Sequence, residues 1–597
     1  MADLHFSDAA PTAAERHAVL TALDLDDAHS GAVVVEHPRA VRGGTRRRKH
    51  LRHLLLPALH ALQRESGWIS PGGLNFVGRL LGVPPAEAYG VATFYEMFRT
   101  EAPAPAADGL SVRHVCADPI CMLAGAELLA DQLRTQGLPV HEASCLGQCE
   151  RAPAMFIHGR REPDRVPADE RAAASPVVSV TASNADAPSV LRQMVEPRRP
   201  HDENASLEEY LRRGGGAAID AALRLSADEI IAQIAAAGLS GRGGAAFPTG
   251  VKWRAVADAP GPKHVVANID ESEPGTFKDR LLCELTPSAI IESMVVAGLV
   301  VGAQQGWIYI RGEYPLATQR LQNAMAQARD AGWLGDDAAG SGQPFDIELR
   351  RGAGAYICGE ETALFNSLEG YRGEPRNKPP YPTTHGLFGR PTVVNNPETL
   401  LNVMEVLRIG PDAYRSVGTQ DSPGTKLFCV SGHVRTPGLY EVPFGTPLGE
   451  LLRLAGGVGD TLATVLLGGA AGSFVGADAE ELPLSLEGAR AAGTTLGSGA
   501  VMVFDDTANL GAVVERLAKF FRDESCGQCV PCRIGTVRQH ELVTQIRRSG
   551  GPTAPQRRLL DDIAAAMGDA SICGLGHTAA SAVSSALRLD LLSEQAS

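Results

Sequence analysis

Apolar positions recur every three to four residues in LRHLLLPALHALQRESG, from Leu51, and in GLNFVGRLLGV, from Gly73, a period that predicts two amphipathic helices. From Ser111 to about Val190 the pattern changes. Short β-rich segments (SVRHV, AMFIHG, VVSVTA) alternate with a helical stretch, ELLADQLRTQG, and read as a small α/β unit. PRRPHDENAS, from Pro197, has the composition of a linker. A longer α/β section follows to about Gly410: helix DEIIAQIAAAG, a glycine-rich loop, strand HVVANID, helix SAIIESMVVAGLVVGA and strand GWIYIRG. Between Gly424 and Asp505 strands dominate (KLFCVSG, GLYEVPF, AVMVFD) around one helix, LGELLRLAGG. From Asn509 onward the period is helical, and no repeat of solenoid length appears.

At 597 residues the chain exceeds what one core can serve and is expected to form about four domains. The formal net charge of −14 argues against a nucleic-acid binder, which needs a basic field. The basic run Arg46-Arg47-Arg48-Lys49-His50 reads as a solvated helix start, with a docking patch as the sharper alternative. No apolar run reaches the ~18–20 residues of a membrane span, so direct membrane insertion is not expected. The N-terminal MADLHFSDAAPTAAER lacks a basic region followed by an apolar stretch. A cytoplasmic location is therefore expected, where thiols stay reduced and eleven cysteines in clustered spacing read as metal ligands.

Eight cysteines fall into two groups of four. Cys116, Cys121, Cys145 and Cys149, in CADPIC…CLGQC, offer four thiolates to a [2Fe–2S] cluster or to zinc. Gly147, Pro119 and Pro153 place them on loops whose N–H groups can reach sulfur. Cys526, Cys529 and Cys532, in ESCGQCVPCRIGT, with Cys573 in ASICGLG, have the close triple spacing and distant fourth ligand of a [4Fe–4S] cubane. Cys283, Cys358 and Cys429 are isolated and read as small buried hydrophobes.

Three loops carry the remaining chemistry. In GLSGRGGAAFPTGVKW, Gly241, Gly243 and Gly244 let backbone N–H groups approach a phosphate. Arg242 and Lys252 add charge, and Phe247 or Trp253 could stack on a flat ring. This is not GxGxxG after a strand, so an ordinary dinucleotide fingerprint is absent. NIDESEPGTFKDR sets Asn268, Asp270, Glu271 and Glu273 at a strand end, where they could accept hydrogen bonds from ribose or a flavin ring, or cap a helix. RRGAGAYICGEETAL supplies Gly352, Gly354 and Gly359 with Tyr356, Glu360 and Glu361. Lys378, in a proline-rich turn, could meet a pyrophosphate, and Asn395-Asn396 could cap the next helix, bind a cofactor, or both.

Taken together, these loops, ESCGQCVPC and ASICGLG resemble the flavin-bearing NADH-binding subunit of respiratory complex I, which recurs in NAD-reducing hydrogenases and NAD-dependent formate dehydrogenases. The N-terminal part, with GVATFYEMF and the two cysteine pairs, resembles the small thioredoxin-like [2Fe–2S] partner of that subunit. The resemblance runs from about residue 50 to 595. Residues 1–45 read as a loose extension. Over the rest the resemblance implies an α/β multidomain chain: a helical segment (46–108), a thioredoxin-like [2Fe–2S] domain (109–195), a linker (196–225), a Rossmann-like FMN and NAD(H) domain (226–423), a β-grasp, ubiquitin-like domain (424–507) and a helical bundle with the [4Fe–4S] cluster (508–597).

The resemblance also implies FMN held by Gly241, Arg242, Gly243, Lys252, Asn268, Asp270, Glu271, Tyr356, Glu360, Asn395 and Asn396. Gly244 and Gly359 belong to the same cradle. NAD(H) would stack on Phe247 and contact Glu273, Glu361 and Lys378, with Glu360 and Glu271 as the carboxylates of the reacting centre. Three residues depart from the pattern: Ala246 where glycine is usual, Ala255 where an aromatic is common, and Tyr381 for phenylalanine. FMN converts a two-electron hydride into single electrons for the clusters. The [4Fe–4S] cluster is the expected exit and the [2Fe–2S] cluster a buffer for the second electron. The expected partner is a large catalytic subunit with further iron–sulfur clusters. Fusion of the two parts, ICGEE and DASICGLG favour a molybdenum or tungsten formate dehydrogenase. An NAD-reducing hydrogenase, a fused complex I module and a zinc-stabilised scaffold without catalysis are the alternatives.

Overall fold

The computed structural model describes residues 8–25, 49–102, 111–159, 164–167, 176–181, 183–192 and 206–593. Arg46, Arg47 and Arg48 lie outside them. The N-terminal extension, expected to be loose, contains helix Ala13–Ala22, closed by a capping box between Thr12 and Glu15. Glu15 is buried because the hydroxyls of Ser66 and Ser70 also donate to it, at 3.2 and 2.6 Å. That pins the helix onto helix Leu55–Ser66. The latter buries Leu55, Leu56, Leu59 and Leu62 on one face, ends at left-handed Gly67, and is followed by helix Pro71–Leu81, capped by Ser70.

A three-stranded sheet follows: β1 (Ser111–Cys116), parallel to β2 (Val140–Ala143) and antiparallel to β3 (Met155–Gly159), in the order β2-β1-β3. Strand β4 (Val177–Ser179), expected with this unit, leaves it and pairs in parallel with a strand more than 250 residues later (Leu439↔Val177). The buried carboxylate of Glu441 decides this, accepting Ser189 Oγ at 2.6 Å and Val190 N at 2.8 Å. The segment expected as a linker to residue 225 carries helices Leu207–Arg212 and Ala217–Arg224. Both are anchored on buried Glu292, which accepts Tyr210 Oη at 2.6 Å, Gly216 N at 2.8 Å and Ala218 N at 2.8 Å.

The central sheet is fully parallel: β5 (His264–Ile269), β6 (Gln305–Ile310), β7 (Asp346–Arg351) and β8 (Thr392–Asn395), in the order β7-β6-β5-β8. From β5 the chain winds outward to β6 and β7, then returns to lay β8 on the other side of β5. The crevice at the carboxyl ends of β5 and β8 is therefore the topological switch point, where open α/β sheets receive ligands. Helix Pro287–Val301 is buried almost all round, as its unbroken apolar run requires. No helix among the described residues is long and apolar enough by itself to cross a membrane. The one pair that passes by length and composition, Lys278–Leu285 with Pro287–Val301, is bent by 98° and packed inside the chain.

The next sheet holds β9 (Thr425–Gly432), β10 (Gly438–Pro443), β11 (Leu462–Leu467), β12 (Ser473–Gly476) and β13 (Ala500–Asp505), in the order β12-β11-β13-β9-β10-β4. Helix Leu448–Leu454 covers it, burying Leu448, Leu451 and Leu452 against Val430, Val465 and Val503. The chain ends in helices Leu510–Glu524, Val530–Arg548, Ala554–Ala570, Gly574–Thr578 and Ser581–Arg588.

Candidate functional site

Cys116 closes β1, Cys121 sits in the short helix Pro119–Leu123, and Cys145 and Cys149 follow β2; all four are buried. Cys145 and Cys149 Sγ lie 3.7 Å apart. The amides of Gly147 and Ala154 donate to Cys145 and Cys121 Sγ, each at 3.4 Å. Hydrogen bonds from Cys116 and Cys149 hold the Cys145 thiol well below its ordinary range, aided by the Arg311 guanidinium and the Gly147 amide. Thiols that converge among backbone N–H donors and a buried cation are what a thiolate-ligated cluster requires.

The second group lines a small hollow, in which Cys526, Cys529, Cys532 and Cys573 come together. Cys529 precedes the first turn of helix Val530–Arg548 and Cys573 that of Gly574–Thr578, so amide donors face the hollow. Those of Leu575 and Gly576 lower the Cys573 thiol, which burial nonetheless pushes up to about 11. Ile357, from the third loop, and Pro375, beyond helix Glu361–Leu368, also line it.

That third loop separates this cavity from the cleft above β5 and β8. Tyr356–Gly359 forms one turn of 3₁₀ helix, and Gly359 O accepts Asn268 Nδ2 at 2.9 Å. A Cβ on Gly359 would lie 3.3 Å from Asp270 O. Asp270 is enclosed here, and burial pushes its carboxyl up to about 8. The Tyr356 hydroxyl donates to Glu273, which also accepts Ala471 N at 2.7 Å; burial raises Glu273 to about 7. Glu360 caps helix Glu361–Leu368, accepting Thr362 N at 2.8 Å and Ala363 N at 3.0 Å. Lys378 Nζ bridges Glu360 Oε1 at 2.9 Å and Glu361 Oε1 at 2.7 Å. Burial pulls the ammonium down, but Glu361 and Glu360 outweigh it and leave its pKa raised.

On the opposite wall the glycine loop is closed by Gly241 N donating to Phe247 O at 2.9 Å. Gly243 lies flush against Asn396, so that a Cβ would approach Asn396 Cβ to 3.1 Å, and Gly244 adopts φ +122°. Phe247 is half exposed, its ring 5.8 Å from Lys252 Nζ. Lys252 donates to Val394 O at 3.0 Å, and Asn395 Oδ1 accepts Trp253 Nε1 at 2.8 Å. Asn396 caps helix Pro397–Ile409 and accepts Lys278 Nζ at 2.9 Å. These glycines, the half-exposed aromatic ring and the half-buried carboxyls fit a cleft for phosphate and a flat ring system.

Two expected ligands point elsewhere. The Arg242 guanidinium turns away, donating to Tyr414 Oη at 2.9 Å and Pro423 O at 3.0 Å and lying 4.6 Å from the Phe444 ring. Only its backbone remains in the glycine loop. Glu271, expected at the reacting centre, caps helix Lys278–Leu285 instead. Its oxygens accept Asp279 N at 2.9 Å, Arg280 N at 3.0 Å and Tyr314 Oη at 3.2 Å. Burial raises its carboxyl, and enclosure by these donors leaves it a structural link toward the first cysteine group.

The sequence reading missed a buried charge network behind the cleft. Lys278 meets Asp279 at 2.7 Å and Glu398 at 3.2 Å, and Lys426 meets Glu398 at 3.1 Å. It also missed Arg311, which donates to Cys145 O at 2.6 Å and Glu271 O at 2.8 Å. The signal available was the Lys278-Asp279-Arg280 run, with its two cations, directly after the acidic loop.

Comparison with known proteins follows the same division. The family described as Nuo51 FMN-binding domain matches residues 234–405, and the NADH-ubiquinone oxidoreductase-F iron-sulfur binding region matches 512–589. A thioredoxin-like [2Fe-2S] ferredoxin family matches residues 44–170 and an SLBB domain matches 427–470. The chain is 43% identical over 376 residues to the NADH-quinone oxidoreductase F subunit of Aquifex aeolicus (strain VF5), covering 63% of this chain and 87% of that protein. It is 39% identical over 377 residues to NADP-reducing hydrogenase subunit HndC of Solidesulfovibrio fructosivorans, covering 62% and 76%. A chain of the crystal structure of NAD+-reducing [NiFe]-hydrogenase in the H2-reduced state superposes with a TM-score of 0.76 at 31% identity, covering 91% of this chain and 93% of that one.

Proposed function

The chain belongs to the family of NADH-quinone oxidoreductase F subunits, fused to a thioredoxin-like [2Fe–2S] unit, and from that premise we propose that it is the NAD(H)-handling subunit of a soluble, cytoplasmic formate dehydrogenase. It is a flavo-iron–sulfur oxidoreductase chain for FMN, NAD(H), one [2Fe–2S] and one [4Fe–4S] cluster. FMN bound in this cleft would supply the conversion between two-electron hydride chemistry and single-electron chemistry. The observation that carries the reading is the double exposure of one loop. Tyr356 and Gly359 bond to Glu273 and Asn268 in the cleft, while Ile357 lines the four-cysteine cavity. On this reading a site for a ring that takes hydride lies against a site for a one-electron carrier.

The residues of the cleft bind and orient. Phe247 offers a face for a base or nicotinamide. Lys378, held between Glu360 and Glu361, can exchange one carboxylate for a phosphate or ribose hydroxyl. Asp270 and Glu273, raised by burial, present carboxyls that can donate as well as accept near neutral pH. On the outer side, Val530 and Ile534 are 59% and 49% exposed beside Cys529, with Arg533 between them. An apolar patch with a cation there suits docking of the large iron–sulfur subunit.

ICGEE and DASICGLG support formate dehydrogenase, whereas the full-length likeness to a chain of an NAD+-reducing [NiFe]-hydrogenase supports a hydrogenase partner. Anaerobic purification of the complex with metal analysis separates them: molybdenum or tungsten in the large subunit is expected, and nickel overturns the formate reading. An absorption spectrum with NADH titration tests the premise. A colourless, zinc-containing chain without flavin would remove it.

A further inference from the structure

The C-terminal helices reach the cleft through a side chain that the exchange of hydride and electrons does not itself require. Glu524 ends helix Leu510–Glu524, two positions before Cys526. Its Oε2 accepts the backbone N–H of Tyr356 at 2.9 Å. The Tyr356 ring packs on Phe520 of the same helix at 5.0 Å, and its hydroxyl is spent on Glu273. Glu273 in turn holds Ala471 of the β11–β12 turn. One carboxyl therefore ties the helix leading into the second cysteine group to the loop that floors the cleft.

Its setting is unfavourable, because a carboxylate at a helix C-terminus opposes the helix dipole. The hydrogen bond to the Tyr356 amide is what the position gains in return. The Tyr356 amide would otherwise be a partly buried donor without an acceptor in the protein, since a 3₁₀ turn leaves its first N–H groups unpaired.

We propose that Glu524 is a positioning residue for NAD(H) handling: it fixes the Tyr356–Gly359 loop and through Tyr356 aims Glu273 into the cleft. This rests on the NAD(H)-handling reading of the cleft. Glu524 acts through Tyr356 and not at the reacting atoms. Its role is that of an acceptor, so an uncharged acceptor of the same length serves.

The test compares wild type, Glu524→Gln and Glu524→Ala as full-length, anaerobically purified holoprotein. KM and kcat for NADH are measured with an artificial acceptor, hydrogen exchange over residues 352–360, and EPR of both clusters after NADH reduction. For Glu524→Ala, KM is expected to rise about tenfold with kcat within about twofold, the loss of one buried hydrogen bond. The amides of 356–359 exchange at least about tenfold faster, and both EPR signals persist. Glu524→Gln keeps KM and protection within about twofold of wild type. Wild-type KM and protection in the alanine variant overturn the proposal, as does a glutamine variant as impaired as alanine. If Glu524→Ala does not fold, Tyr356→Phe must raise KM similarly while leaving the loop amides protected; an unchanged KM overturns it. Failure of the underlying reading is distinct, because wild type itself then shows no reduction by NADH.

Discussion

Gly147 and Tyr314 touch so closely that a Cβ on Gly147 would sit 2.0 Å from the Tyr314 hydroxyl. Gly147 also adopts φ +64°, so both space and backbone conformation require glycine. Tyr314 donates to Glu271, and Gly147 donates to Cys145 Sγ, so the contact joins the first cysteine group to the flank of the cleft.

Gly147→Ala is therefore expected to be strongly destabilising, by about 2–4 kcal/mol from overlap plus left-handed strain. The damage should fall first on the [2Fe–2S] centre. EPR after NADH reduction should show that signal lost or diminished while the [4Fe–4S] signal remains. Equal loss of both would mean that the contact serves only global folding.

Cys529→Ala removes one wall of the second cavity while leaving Tyr356, Asn268 and Gly359 of the cleft in place. NADH should still bleach the flavin absorbance, whereas the [4Fe–4S] signal and transfer to the partner subunit should vanish. Parallel loss of flavin bleaching would contradict the exit route through this cavity.

The two cysteine groups are legible in the sequence because a cluster imposes its own size on the spacing of its thiols, a local constraint. The glycine loops are legible for a similar reason: close backbone approach excludes side chains whatever surrounds them. Side-chain direction is not. Arg242 stands among three glycines and reads as a phosphate ligand, but Tyr414, Pro423 and Phe444 decide where it points, and all lie over 170 positions away. Glu271 misleads because the helix that starts at Lys278 turns two of its amides onto this carboxyl. The extension, the linker and β4 fail alike: their partners, Ser70, Glu292 and Glu441, are remote in sequence, and local composition carries no trace of them.

His60 gives a pH dependence with a definite sign. Its Nε2 lies 3.0 Å from Gly352 O, and burial, with Arg351 and His158 adding and Asp164 opposing, lowers its pKa to about 3. The unfolded chain takes up a proton near the ordinary value of about 6.5, which the folded chain refuses. The stability this contributes is present above about pH 6.5 and lost as pH falls toward 3, the loss reaching about 2 kcal/mol at pH 5. His60→Gln keeps a donor for Gly352 O and cannot titrate. Unfolding midpoints between pH 7.5 and 5 should fall less steeply for this variant than for wild type, and identical slopes would refute the assignment.

Ala246 is a non-glycine residue at φ +51°, immediately before Phe247, in the position where the resemblance leads one to expect glycine. The left-handed conformation costs an alanine about 1–2 kcal/mol, while glycine there forfeits about 0.5–1 kcal/mol of unfolded-chain entropy. Ala246→Gly should thus stabilise the folded chain by up to about 1 kcal/mol, seen as a higher unfolding midpoint. The alanine methyl also stiffens the approach to Phe247, so the gain in stability should come with faster amide exchange across residues 243–247. A lower midpoint would show that the methyl makes packing contacts worth more than the strain it imposes. In that case the departure from glycine belongs to the shape of the cleft and not to tolerated strain.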